Sequence, residues 1–197
     1  EGMRQETMLG LQGMANSVST TFDDLIAGDY SLQDGQLMKG DFNVSENLQV
    51  LDAIVEGTDY EVTIFFGKTR MATTLISKET GERIIGTDAK TEVVEAVLEN
   101  GEHYKSYDTE INGENYYVYY IPIKNSSGEI IGMTFVGIPS TEAEEYISSV
   151  TTSIFIAVGV VELIIIIVTV FMVMAISNSI KSAEKAILHG FSFGDFS

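Results

Sequence analysis

The chain has no cysteine, no tryptophan, two prolines and two histidines. Without cysteine there is no disulfide framework, no thiolate metal site and no thiol nucleophile. His103 and His189 form no zinc-binding pair, and no Gly-x-Ser-x-Gly nucleophile turn occurs. Gly67-Lys68-Thr69 resembles the end of a phosphate-binding loop, but the glycine that motif needs five residues earlier is Val62. No enzyme activity, cofactor or metal is therefore expected. Basic residues are also scarce. Eleven Lys and Arg face 29 Asp and Glu, a formal net charge of −18. Such a balance disfavours nucleic acid, whose phosphates demand cations, and disfavours resting on an anionic membrane surface. Polar low-complexity tracts are missing too, so disorder is not expected.

What the sequence does have is one long apolar run, IFIAVGVVELIIIIVTVFMVMAI, at residues 154–176. At a helical rise it reaches about 35 Å, enough to cross a hydrocarbon core of about 30 Å. Its acidic leading flank, STEAEEYISS, carries no Lys or Arg, whereas Lys181 and Lys185 follow it. The positive-inside rule then places residues before about 150 outside the cytoplasm. Glu162 lies inside the run, where a charge is costly. It is either a tolerated neutral carboxyl or a contact between membrane helices. Beyond the run, Ile176, Ile180, Ala183 and Ile187 step by four, three and four, a heptad seam ending at Gly190. No hydrophobic anchor stands before Glu1, so the expectation is either a chain processed or truncated there or a protein with one membrane span.

The remaining 150 residues carry two rhythms. Met8, Leu11, Ala15, Val18, Phe22 and Leu25 make an apolar helical seam that ends at Gly28-Asp29. This helix either lies on its own domain or pairs with a second copy. From residue 60, EVTIFFGKTRMATTLI reads as strand, turn at Gly67-Lys68, strand. TEVVEAVLEN, Thr91 to Asn100, reads as a short helix with Gly101 beyond its end. Then HYKSYDTEI, NYYVYYIPIK and EIIGMTFVGIP read as three strands, with turns at Asn112-Gly113 and Ser127-Gly128. The expected class is α+β: about five antiparallel strands with the helices on one side. The expected layout is an N-terminal helix at 1–30, a folded domain at 31–148, a membrane helix at 153–176 and the start of a further segment at 177–197.

The runs TGERIIGT, VLENGEHY and INGENYYVYYIPIKNSSGEIIGMTFVGIP together resemble a single Cache domain, more narrowly the type 3 group. The resemblance covers roughly residues 55–139. It implies a PAS-like fold with a long N-terminal helix beside the sheet and a small-molecule pocket. It also implies the outer region of a bacterial receptor, above all a methyl-accepting chemotaxis protein, with a histidine kinase or nucleotide cyclase as alternatives. The stub after the membrane, ending Gly194-Asp195-Phe196-Ser197, resembles the first helix of a HAMP linker, though without its usual proline.

Several side chains are candidates for the pocket. Tyr116, Val118 and Tyr120 share one strand face; Tyr117, Tyr119 and Ile121 share the other. The tyrosines are either fillers or pocket walls. Arg70, with Lys68 and Thr73 nearby, either holds a carboxylate or pairs with surface acids. Citrate-type relatives have Arg at the position of Arg70, His at that of Thr73, and basic residues where Val118 and Tyr120 stand. A smaller, less charged ligand is thus implied: a monocarboxylate, an amino acid or an aromatic compound. Thr134 completes the expected ligand set. Arg83 and Gly86 are assigned to the loop over the pocket, and Gly132 and Gly137 to bulges or close backbone approaches. The expected partners are a small molecule, the lipid bilayer and a second copy; the rivals are a protein-contact module and an empty dimerising module.

Overall fold

The computed structural model describes residues 2–141. The membrane run with Glu162, the heptad stub and His189 lie outside the described residues. Among the described residues, no helix is long and apolar enough to cross a membrane.

Helix α1 runs Gly2–Leu25. Its buried residues are the seam Met8, Leu11, Ala15, Val18 and Phe22. These repeat every three or four positions and so form one stripe. Leu25, one step further, is 76% exposed, so the stripe stops at Phe22. Strands β1 (Tyr30–Gln33), β2 (Gln36–Lys39) and β3 (Phe42–Asn43) form a small antiparallel sheet, followed by α2 (Gln49–Val55). The β1–β2 turn places Asp34 and Gly35 at φ 51° and 80°, as a two-residue hairpin of matching twist requires.

The main sheet holds β4 (Glu61–Phe66), β5 (Thr69–Thr73), β6 (Tyr104–Ile111), β7 (Glu114–Lys124) and β8 (Ile130–Pro139). Their spatial order is β5-β4-β8-β7-β6, and every pairing is antiparallel. Between β5 and β6 lies α3, helical from Thr91 and widening to a π-helical turn over Val94–Glu99.

Helices cover both faces of this sheet, which corrects the expectation of helices on one side. The reason is legible in β7, where Tyr116 through Tyr120 and Ile121 are all buried. A strand buried on alternate sides by apolar or aromatic groups needs cover twice. On one face α1 packs against β7 and β8, in one apolar cluster that includes Tyr117, Tyr119 and Val136 and also Val62, Ile64 and Ala72. On the other, Val93 and Val97 of α3 pack against Phe65, Val118, Tyr120, Met133 and Phe135. The two strand glycines have different causes. A Cβ on Gly132 would lie 2.1 Å from the Phe65 carbonyl oxygen, so β8 and β4 approach there only without a side chain. A Cβ on Gly137 would meet the Phe135 ring instead.

Candidate functional site

Strand pairing decides which candidates can meet. Residues directly opposite across a ladder share a face. Arg70 lies opposite Phe65, and Thr73 opposite Thr63. Thr63 in turn lies opposite Phe135, and Tyr120 opposite Phe135 on the next ladder. Arg70, Thr73, Val118 and Tyr120 therefore stand on the α3 face, with Tyr116 further along it. Thr134 does not join them. It sits opposite Ile64 and Ile121, on the α1 face, fully buried and with its hydroxyl unpartnered. Lys68 does not reach inward either. Its side chain is 61% exposed and pairs with Asp88 at 2.8 Å, which holds the ammonium above its ordinary pKa by hydrogen bonding.

Arg70 is the unusual group on this face. It is only 6% exposed. Its Nη1 donates to Thr87 Oγ1 at 2.7 Å, and its guanidinium lies 5.3 Å from the Phe65 ring centroid. Its buried Nε has no hydrogen-bond partner. Lys39, Lys68, Lys78 and Arg83 pair with Asp23, Asp88, Glu114 and Asp52, whereas Arg70 pairs with no carboxylate among the described residues. Burial lowers its pKa from the ordinary value, opposed by the Tyr120 hydroxyl. An arginine stays charged even so. A buried cation without a carboxylate partner is expensive.

Aromatic rings surround this cation's neighbourhood. Tyr120 packs against Phe135 at 5.0 Å, Tyr104 at 5.9 Å and Phe65 at 6.1 Å between centroids. Burial raises the Tyr120 pKa, with Arg70 opposing and Tyr104 and Glu92 adding to the rise. Tyr120 therefore keeps its proton and can act as a hydrogen-bond donor. Thr73 is already engaged: its Oγ1 lies 2.6 Å from Thr63 Oγ1 and accepts from the Leu75 amide at 3.1 Å. Tyr116 sits further along the face, at a shallow cleft that Leu75, Ile84 and Ile111 also line.

The segment between β5 and α3 crosses this region. Arg83 ties it down by donating from Nη1 to the Thr73 carbonyl and from Nη2 to Asp52, each at 2.6 Å. Gly86 follows at φ 80°, a left-handed conformation that suits glycine, and its amide donates to the Arg70 carbonyl at 2.8 Å. The sequence analysis missed Thr87, Phe65 and Phe135. Thr87 stands in the quoted run TGERIIGT, but nothing in that run says which side chain it meets.

An antiparallel five-stranded sheet with a long N-terminal helix on one face and a short helix and a tied-down loop on the other defines a PAS-like sensor fold. The chain belongs to the single Cache domain 3 family, whose profile matches residues 42–150. It is thus a Cache sensor domain. No curated protein matches the sequence. Among solved structures, the sensor domain of E. coli DcuS aligns at 14% identity with a TM-score of 0.48, over 75% of this chain and 99% of that one. The periplasmic sensory domain of the Campylobacter jejuni chemoreceptor Tlp1 aligns at 15% identity with a TM-score of 0.46, over 74% of this chain and 57% of that one.

Proposed function

We propose that this chain is the extracytoplasmic ligand-sensing region of a transmembrane receptor, and that Arg70 is the cation for a small carboxylate ligand. The observation that carries this is the burial of Arg70 without a carboxylate among the described residues and with Nε unpartnered. Tyr120 is the wall beside it and Val118 lies further along the same face, with Thr73 as a structural support rather than a contact. Val118 and Tyr120 add no second cation, which favours a ligand of one carboxylate over a tricarboxylate. Occupancy would bias the sheet between two states, and β8, ending at Pro139, leads toward the apolar run at 154–176. A homodimer, a membrane helix and a HAMP-type linker complete the proposal; a chemoreceptor is the output favoured by the resemblance.

The test is isothermal titration of the full chain, in lipid nanodiscs, with acetate, lactate, succinate, benzoate, glycine and leucine. At least one of these binds, and Arg70→Ala abolishes that binding while the far-ultraviolet circular dichroism is unchanged. Binding that survives Arg70→Ala refutes the assignment of the site. If all six fail to bind, a protein-contact or dimerising module takes its place.

A further inference from the structure

Arg70 is held from two sides, and the group that holds it outside the sheet is not part of any regular strand. Residues 86–89 lie along the outer edge of β5. The Gly86 amide donates to the Arg70 carbonyl and the Arg70 amide donates to the Thr87 carbonyl, both at 2.8 Å. The Ala89 amide donates to the Lys68 carbonyl at 2.9 Å, and Thr69 bridges to Asp88. Thr87 is therefore fastened to the main chain of the residue whose side chain its own hydroxyl meets. That double attachment delivers the hydroxyl to Nη1 at a fixed offset from the Arg70 backbone.

The choice of nitrogen matters. Nη1 is the terminal nitrogen on the Cδ side of the guanidinium. Engaging it leaves the opposite edge, Nε–H beside Nη2–H, as the fork that can receive two coplanar oxygens. Nε is the atom found buried and unpartnered. The guanidinium carbon lies over the Phe65 ring, 5.3 Å from its centroid, so that ring covers one side of the group. We infer that Thr87 is the positioning residue of the Arg70 site: its hydroxyl pins Nη1 so that the Nε–Nη2 edge faces a ligand carboxylate side-on. The ligand class that fits is a planar carboxylate offering both oxygens to one edge. A neutral amide of the same skeleton, with one acceptor and one donor group, is rejected because its NH2 would oppose a guanidinium N–H. This inference rests on the carboxylate-site reading above.

The experiment uses the full chain in nanodiscs and the carboxylates acetate, lactate, succinate and benzoate, each with its amide. Thr87→Val keeps shape and strand preference but removes the hydroxyl; Thr87→Ser keeps the hydroxyl. For a carboxylate that binds the wild type, Thr87→Val weakens binding by about ten- to a hundredfold, the scale of one hydrogen bond to a charged group. Thr87→Ser restores affinity to within about twofold, and the amide binds at least about tenfold more weakly than the acid. The Arg70 Nε–H resonance moves on binding in the wild type and in Thr87→Ser. Arg70→Lys, which keeps the charge and lacks the fork, does not restore binding. Arg70-dependent binding that Thr87→Val leaves unchanged overturns the role of Thr87 alone, as does failure of Thr87→Ser to rescue. Equal affinity for acid and amide overturns the fork geometry. If no carboxylate binds the wild type, both the inference and the site beneath it fall.

Discussion

At the scale of single residues, Glu61 shows what a group costs when its surroundings do not favour its charge. It opens β4, accepts a hydrogen bond from Thr74 Oγ1, and lies among Arg83, Asp52 and Glu114. Burial raises its pKa above the ordinary carboxylate value; the Thr74 bond and Arg83 oppose the rise, and Asp52 and Glu114 add to it. The sign of the linkage follows. A carboxyl whose folded pKa exceeds its unfolded one binds protons more readily in the native state. Its favourable contribution is present at low pH and is lost as pH rises from about 4.5 through the folded value. Glu61→Gln keeps the shape and an acceptor oxygen for Thr74 while removing the charge. It should raise the melting temperature at pH 7, and the gain should shrink toward zero near pH 4, where the wild-type carboxyl is protonated. A variant less stable than wild type at pH 7, or a gain that does not change with pH, would contradict this account.

Elements respond to whole stripes rather than to single atoms, and here the sequence was most readable. The α1 seam was visible because five of its six apolar positions sit on one stripe, and all five, from Met8 to Phe22, are buried. Leu11 is fully buried and Leu25 is 76% exposed. Leu11→Ala should therefore lower stability by about 2–5 kcal/mol, whereas Leu25→Ser should change it by less than about 0.5 kcal/mol. Chemical denaturation of the full chain separates the two; equal losses would mean that α1 is not seated through this stripe. The five long strands were equally legible from their alternation and from Asn112-Gly113, whose φ values of 52° and 78° fit the tight hairpin expected there. Asp34-Gly35 between YSLQ and QLMK is a turn of the same kind, but four-residue strands give too little alternation to stand out in the sequence. Which face each helix covers was not legible. Tyrosine on both sides of β7 is compatible with one exposed face or two covered ones, and only the packing of Val93 and Val97 decides. The site was half legible. Arg70 stood out as a cation in an acidic chain, but the exclusion of Lys68 and Thr134 follows from exposure and strand register, and Thr87 reaches Arg70 across 17 positions.

For the molecule as a whole, charge is the property that no local device offsets. The 29 acidic groups outnumber the 11 basic ones. In the ion pairs Lys68–Asp88, Lys78–Glu114 and Arg83–Asp52 both side chains are at least 25% exposed, and such pairs add little to stability. Lys39–Asp23 differs, since the Lys39 side chain is 4% exposed and its Nζ also donates to the Gly28 carbonyl at 3.2 Å, joining the end of α1 to β2. With its ammonium end buried, this contact is screened less by salt than the surface repulsion is. Compaction therefore brings like charges together across most of the surface, and the unfolded chain relieves that repulsion. Raising sodium chloride from about 0.01 M to about 0.15 M shortens the screening length from about 30 Å to about 8 Å. The melting temperature at pH 7 should rise across that range, opposite to the fall expected of a fold held by surface ion pairs. At pH 4, where many carboxyls are neutral, the same salt step should have a smaller effect. A melting temperature that falls with salt at pH 7 would show that attraction, not repulsion, dominates this surface. The same repulsive field acts on any anion that approaches this surface, so if the proposed Arg70 site takes a carboxylate, that carboxylate should associate faster as salt increases, until screening is complete.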